Sequence, residues 1–413
     1  MSDLFPFLTE AVTPWHAVGA LARRLKDAGY RELSESEPWR LQASQGYFLS
    51  RGGALAAFVV GSHPSAGWTV ATAHTDSPGW KLKWPSAKAH PSGVTRIGTE
   101  VYGSPIHSTW FDRPLAVAGR IFVRGPQGLR EVLVQTEPLG VFPNLAIHYN
   151  REVNKGQAYD LTEHLSLLAA FGPEGGTAFL AQLGEFDPTD WVASDLFAVD
   201  ASAPVALGSD GLFTAPRIDN LAGCHAVVEG LLASRTSTRT NLALCFDHEE
   251  IGSTTWTGAD SSFLIDLMTR VHQAVGGTSE DFYRTKASSL LVSVDAAHGV
   301  HPNWPSQHDE AYAPLLGRGP VVKSSARFSY ATTAATEARV REAAQGAGVT
   351  LQDYVMKSTL VPGSTVGPLT TSLAGLPGVD LGIPIWAMHS VRETADLRDQ
   401  QALIRLISGV LSP

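Results

Sequence analysis

Four apolar runs in this chain stop abruptly on a histidine or an acid, and this pattern restricts the fold more than any other feature. Trp68 to Ala73 runs into His74–Thr75–Asp76 and a break at Pro78. Asn241 to Phe246 runs into Asp247–His248–Glu249–Glu250, Leu290 to Val294 stops at Asp295, and Ile383 to Met388 stops at His389. A fifth candidate position, Asp219, stands just before the helical pattern Leu221 to Ala233. Charged groups beside apolar neighbours are costly unless cations or hydrogen bonds compensate them. Their shared placement has a cause if the runs are strands of one open α/β sheet, whose ligand crevice lies outside the carboxyl ends of the strands.

The rest of the chain fits that frame. Thr13–Pro14 reads as an N-cap with proline in the first turn, leading into a helix over Trp15 to Ala28. Short strands follow at Tyr47–Ser50 and Ala54–Val60. Between Lys88 and Leu212 strand-like pieces, Leu115–Arg124 and Glu131–Thr136 among them, are separated by Gly and Pro, and the helical pattern is confined to Leu161–Phe171. From Pro216 onward helices at 221–233, 261–275, 333–345 and 396–411 alternate with the strands already named, which implies a mainly parallel sheet covered on both faces. The predicted organisation is a mainly parallel-sheet α/β domain in two parts, 1–87 and 214–413, interrupted by a mostly β insertion at 88–213.

With 413 residues, 44% hydrophobic and 17% charged, the chain has the composition of a well-buried globular protein. A net charge of −9 argues against a nucleic-acid surface or an anionic-membrane partner. Cys224 and Cys245 both lie in apolar stretches and read as buried thiols, which leaves no thiolate metal site. The start of the chain carries an early acid and no basic segment, unlike a signal peptide, and no run approaches a membrane span, so the expected location is the cytoplasm.

Two imidazoles, several carboxylates and no thiolate suit Zn²⁺, Mn²⁺ or Co²⁺. The set exceeds the three protein ligands of one catalytic zinc. It matches a pair of divalent ions that share a bridging carboxylate and together clamp a hydroxide and a substrate oxygen. Asp219 is a sensible bridge, having two oxygens to face two ions. One acid must stay unligated as general base. Glu249 and Glu250 would divide these tasks, and their spacing alone does not say which does which. A phosphate-binding Gly-Lys loop, a His-Glu-x-x-His helix and a Gly-x-Ser-x-Gly elbow are all missing from the sequence. Gly363–Ser364–Thr365–Val366–Gly367 reads as a flexible loop into a helix.

Over nearly its whole length the sequence resembles the aspartyl aminopeptidases, the M18 family of metallopeptidases. The resemblance rests on Ala73–Pro78, Ser108–Arg113, Pro216–Leu221, Glu249–Ser253, Ala297–Asn303 and Ala387–Glu393, in that order. It implies that His74, Asp219, Glu250, Asp295 and His389 bind two ions, foremost Zn²⁺. Asp219 would bridge them, with Glu250 and His389 on one ion and His74 and Asp295 on the other. It further implies Glu249 as general base and Asp76 as the partner that orients His74. Lys323 would face the acidic side chain of the substrate's first residue, His298 would face substrate, and His148 would reach a neighbouring subunit's site. The implied activity is removal of N-terminal Asp or Glu from peptides by a tetrahedral dodecamer of dimers, the insertion serving as dimerisation domain. Tyr312 departs from relatives that carry histidine there, which bears on the nearby substrate pocket or subunit contacts.

Plainer readings stand beside these. Lys323 taken alone reads as a solvated lysine, and Asp247 as structural. His90, His107 and His272 read as surface or turn residues. His298 and His301 each have two readings, substrate contact or structural support. Two other functions compete: a dinuclear aminopeptidase with neutral or broad preference, and a non-catalytic assembly protein on a peptidase scaffold.

Overall fold

The computed structural model describes residues 3–83, 87–171, 175–235 and 237–412, which form two compact units. The larger comprises the chain up to Asp76, Pro204–Met388 and the chain from Glu393; the smaller comprises Ser77–Ala203 and His389–Arg392. The smaller unit thus starts at Ser77, ahead of residue 88, because Gly79–Leu82 pairs with Trp191–Val199 and Thr99–Tyr102 inside it.

A nine-stranded sheet organises the larger unit. Its strands lie in the order 31–32, 46–51, 54–59, 240–246, 68–74, 290–294, 378–382, 321–324 and 352–355. The central strands Thr240–Phe246, Trp68–His74, Leu290–Val294 and Gly378–Gly382 are all parallel. Residue alternation along each strand serves two cores at once. Ala71, Ala73, Ala243, Cys245, Val292 and Val294 face the core shared with helices Pro14–Asp27, Ile218–Ala233 and Leu397–Leu411. Trp68, Val70, Leu242, Leu244, Phe246 and Leu291 face the core shared with helices Phe263–Ala274 and Val366–Ala374. Such near-continuous apolar strands are what a sheet covered on both faces requires.

Parallel register brings the chemistry to one edge. His74 is paired with Phe246, so His74 and the acids that follow Phe246 emerge together. Asp295 follows Val294, and its N–H donates to Leu381 O at 2.8 Å. A Cβ on Gly382 would lie 1.8 Å from Asp295 O, so only glycine admits this close approach of the two strand ends.

In the smaller unit a five-stranded antiparallel sheet (128–135, 116–125, 191–199, 79–82, 99–102) packs around Trp80, Trp110, Leu115, Ile121 and Phe142. The predicted helix over 161–171 is absent: Leu167–Ala169 is a strand paired with Thr95–Ile97, in which Leu167 and Ala169 are buried and Leu168 between them is less so. The run Ile383–Met388 also differs from expectation. The sheet strand is Gly378–Gly382, whereas Pro384–Ile385 pairs with Ala297–His298 in a separate ribbon and Trp386 bridges Thr394. His272 is buried on its helix with Nε2 against Thr278 O at 3.0 Å, so it is a core residue and not a surface one. No helix among the described residues is long and apolar enough to cross a membrane.

Candidate metal centre

His74 is the hub of the carboxyl edge. Its Nε2 lies 3.6 Å from Asp219 Oδ1, 3.5 Å from Asp295 Oδ1 and 4.0 Å from Glu249 Oε2. Its Nδ1 faces Asp76, 3.1 Å from the backbone O and 3.3 Å from Oδ1. A ring held by a carbonyl and a carboxylate on one nitrogen presents the other in a fixed direction.

The paired glutamates do not continue the strand. His248 takes a left-handed conformation (φ 63°), and Glu249–Ile251 forms a single 3₁₀ turn. That turn is pinned by Asp76, whose Oδ1 and Oδ2 accept the N–H groups of Glu249 (3.0 Å) and Glu250 (3.1 Å). Asp219 sits in the first turn of its helix with non-helical angles (φ −79°, ψ 109°), preceded by left-handed Arg217 and followed by a cis peptide to Asn220. Its N–H donates to Glu393 Oε2 at 2.9 Å, and Asn220 Nδ2 donates to Val294 O at 2.8 Å. The second bond ties the helix start to the strand end that carries Asp295, and the first ties it to the strand Glu393–Asp396.

Donor atoms of His74, Asp219 and Asp295, and likewise of His74, Glu249 and Glu250, lie within 4.8 Å of one another. The burial of so many acids has an electrostatic consequence. Burial pushes the Glu249 carboxyl up to about 8; the His74 ring opposes this, while Asp295, Asp76 and Asp219 add to it. Glu250 is pushed well above the carboxylate range, by burial first and then by Asp219. Burial alone would lower the His74 value, yet Asp219, Asp295 and Asp76 raise it well above that of ordinary imidazole. Asp295 is held below the usual range because Lys323 and His74 outweigh its burial. Crowded carboxylates of this kind call for added positive charge, and an all-nitrogen/oxygen donor set fits divalent zinc.

Lys323 is 2% exposed and so is not a solvated lysine. Its Nζ lies 3.7 Å from Asp295 Oδ2, donates to Ala296 O at 3.1 Å and stands 5.1 Å from the centre of the Tyr330 ring. Asp380, its register partner on the next strand, is fully buried and accepts from Thr365 Oγ1 and Ala331 N, each at 2.6 Å. Asp380 carries no sequence signal and Glu393 only its place at the end of Ala387–Glu393, since each acquires its partners from distant segments.

His298 packs on Tyr354 (5.9 Å between ring centres) and lines a pocket of about 280 Å³ with His301, His308, Met356 and Trp386. His301 N–H donates to His308 Nε2 at 3.1 Å, and its ring packs on Trp304, which supports the structural reading of His301. His389 belongs to the smaller unit's returning segment; its Nδ1 lies 3.1 Å from Ser104 O. His148 is exposed in the smaller unit among exposed Leu145, Ile147 and Tyr149. Asp247 is buried and accepts its neighbour His248 N–H, consistent with a structural role.

A family model described as Aminopeptidase I zinc metalloprotease (M18) matches residues 7–410. A probable M18 family aminopeptidase 2 of Ectopseudomonas mendocina is 37% identical over 425 residues, covering 100% of this chain and 98% of the relative. A chain in the cryo-EM structure of the Ape4 and Nbr1 complex is 30% identical and superposes with a TM-score of 0.93, covering 98% of this chain and 84% of that one. The S. cerevisiae mApe1 dodecamer, 24% identical, shares the fold at a TM-score of 0.85, covering 98% of this chain and 95% of its own.

Proposed function

This chain belongs to the M18 family of zinc metallo-aminopeptidases, and from that membership we propose that it is a dinuclear enzyme removing N-terminal Asp or Glu from peptides. The observation that carries the reading is the convergence of Asp219, Asp295 and Glu249 on His74 Nε2 at a buried sheet edge. His74 and Asp295 would hold one ion, Glu250 and His389 the other, with Asp219 shared by both. The place of His389 in this set rests on the motif Ala387–Glu393.

Divalent ions bound there supply Lewis acidity to the attacking water and to the scissile carbonyl. Glu249 then carries the proton. A carboxyl pushed towards neutrality by burial accepts a proton from the attacking water and returns it to the leaving amine. Asp76 sets the geometry of both partners, holding the His74 ring and the Glu249 backbone together.

Lys323, a cation within reach of the cluster, supports an acidic first residue in the substrate, and His298 lines the adjoining pocket. A second reading, neutral or broad preference, is favoured by the engagement of Lys323 with Asp295 and Ala296 and by the Tyr354 and Met356 walls of that pocket. Exposed Leu145 (64%), Ile147 (51%) and Tyr149 (82%) around His148 support assembly through the inserted unit into a tetrahedral dodecamer of dimers, as the mApe1 relative forms a dodecamer. In that assembly His148 would reach a neighbouring copy's site.

A panel of Asp, Glu, Leu and Ala p-nitroanilides tests the specificity on zinc-loaded protein. A kcat/KM at least tenfold higher for Asp or Glu than for Leu is expected. Equal or better turnover of Leu overturns the acidic preference, and no turnover of any substrate by fully loaded protein overturns the peptidase reading.

A further inference from the structure

The opposite edge of the nine-stranded sheet carries a feature that peptide hydrolysis does not use. A cleft of about 790 Å³ opens where Thr69 and Leu290 begin their strands, lined by Arg235, Arg239, Arg339 and Arg405. Thr69 and His74 lie on the same strand, which separates the cleft from the metal centre by about 17 Å at the usual rise per residue. Among the described residues the guanidinium partners are backbone carbonyls, Ser288 O for Arg239 and Ser289 O for Arg339, with no ion pair to a carboxylate. In a chain of net charge −9 this is an unusual concentration of unneutralised positive charge.

Two of the four are built into position. Arg239 Nη1 donates to Ser288 O at 2.6 Å, and Arg339 Nη1 donates to Ser289 O at 3.4 Å. Neighbouring carbonyls of one turn therefore hold two like charges side by side. Partial burial and the Arg339 charge both lower the proton affinity of half-buried Arg239.

Compensation of helix ends accounts for only part of this charge. The helices Ile218–Ala233, Ala334–Gly346 and Leu397–Leu411 all run out at the cleft. Three C-terminal ends supply about half a negative charge each, and Glu342 is the one acid lining the cleft among the described residues. Counted over the described residues, four guanidinium groups still leave it positive by roughly one and a half charges. Guanidinium forks match the paired oxygens of phosphate groups, and the cleft volume is that of a small-molecule site.

We propose that this cleft binds a free oligophosphate anion, seated on Arg239 and Arg339 and closed over by Arg235 and Arg405. Ile404 and Ala343 give it an apolar wall on which an organic body attached to the phosphates can rest. The site is independent of the peptidase reading.

Calorimetric titration of the full chain with inorganic triphosphate and with ATP, at low and high salt, tests this. Wild-type protein is expected to bind, with affinity falling as salt rises. The double variant Arg339→Gln, Arg405→Gln, both exposed positions, is expected to bind at least tenfold more weakly while keeping wild-type peptidase activity and zinc content. Tighter binding of ATP than of triphosphate assigns the organic body to the apolar wall; equal binding assigns the phosphates alone. Chelation of zinc would be unaffected by the variant, so equal affinity in both proteins overturns the proposal, as does absence of binding. A change in oligomeric mass of the variant without added anion also overturns it, by assigning the cleft to acidic groups of a second copy.

Discussion

Asp76 accepts the backbone N–H of Glu249 at 3.0 Å with the same carboxylate that faces His74 Nδ1 at 3.3 Å. One side chain thereby sets the direction of an imidazole and the position of the glutamate beside it. Partners of this kind matter through the ligands they orient, and losing one commonly weakens metal affinity or activity 10–100-fold. Asp76→Asn keeps the shape but cannot accept from both Glu249 and Glu250. Its zinc affinity, or its kcat at saturating zinc, is expected to fall by about 10–100-fold. A competitive zinc titration beside steady-state rates checks this, and wild-type values in both would remove Asp76 from the site.

Lys323 separates two effects in a single substitution. Its ammonium is buried between Asp295 and the Tyr330 ring, and removing one partner of a buried pair costs about 3–5 kcal/mol. Lys323→Ala is expected to unfold at correspondingly lower denaturant concentration and to lose at least tenfold more kcat/KM on Asp substrates than on Leu substrates. Equal losses on both substrates would show that Lys323 acts only by supporting Asp295.

Asp399 gives a pH dependence that rests on a group outside the candidate metal set. Burial pushes its carboxyl up to about 7, although the N–H groups of Gly317 (2.6 Å) and Gly319 (2.7 Å) favour the charged form. The folded state then binds one more proton than the unfolded state between its ordinary value of 3.8 and about 7. Stability is therefore greatest below that window and falls as pH rises through it, by up to about 4 kcal/mol from this group. Asp399→Asn, which cannot titrate, should show a shallower decline of stability across the window. Denaturant unfolding at pH 4, 5.5 and 7 measures it, and identical slopes in the two proteins would refute the assignment.

Much of this architecture is legible in sequence because burial on both faces leaves strands as apolar runs. Trp68–Ala73, Asn241–Phe246 and Leu290–Val294 announce both the sheet and its carboxyl edge, and all three are central strands. Gly378–Gly382 is hidden because it carries glycine at both ends and Asp380 in the middle. Its tolerance of that acid depends on Thr365 and Ala331, which no local pattern connects to it. The neighbouring run Ile383–Met388 looks like the better strand, yet Pro384 lacks the N–H that a central ladder needs. Leu161–Phe171 has leucines at spacings compatible with either period, and pairing with Thr95–Ile97 decides for the strand.

The candidate site shows the same division. His74 and Asp295 are found from where their strands stop. The 3₁₀ turn that presents Glu249 and Glu250 depends on Asp76, and the seat of Asp219 depends on Glu393, contacts spanning more than a hundred residues. Lys323 looks solvated in sequence because its counter-charges come from two other strands.

Glu249→Gln tests the central claim most directly, through metal content per chain and kcat measured on the same preparation. Two zinc ions per chain in both wild type and variant, with kcat lowered at least a thousandfold in the variant, is the predicted result. Fewer than two ions in the wild type, or undiminished turnover by the fully loaded variant, would contradict a two-ion centre with Glu249 as its proton carrier.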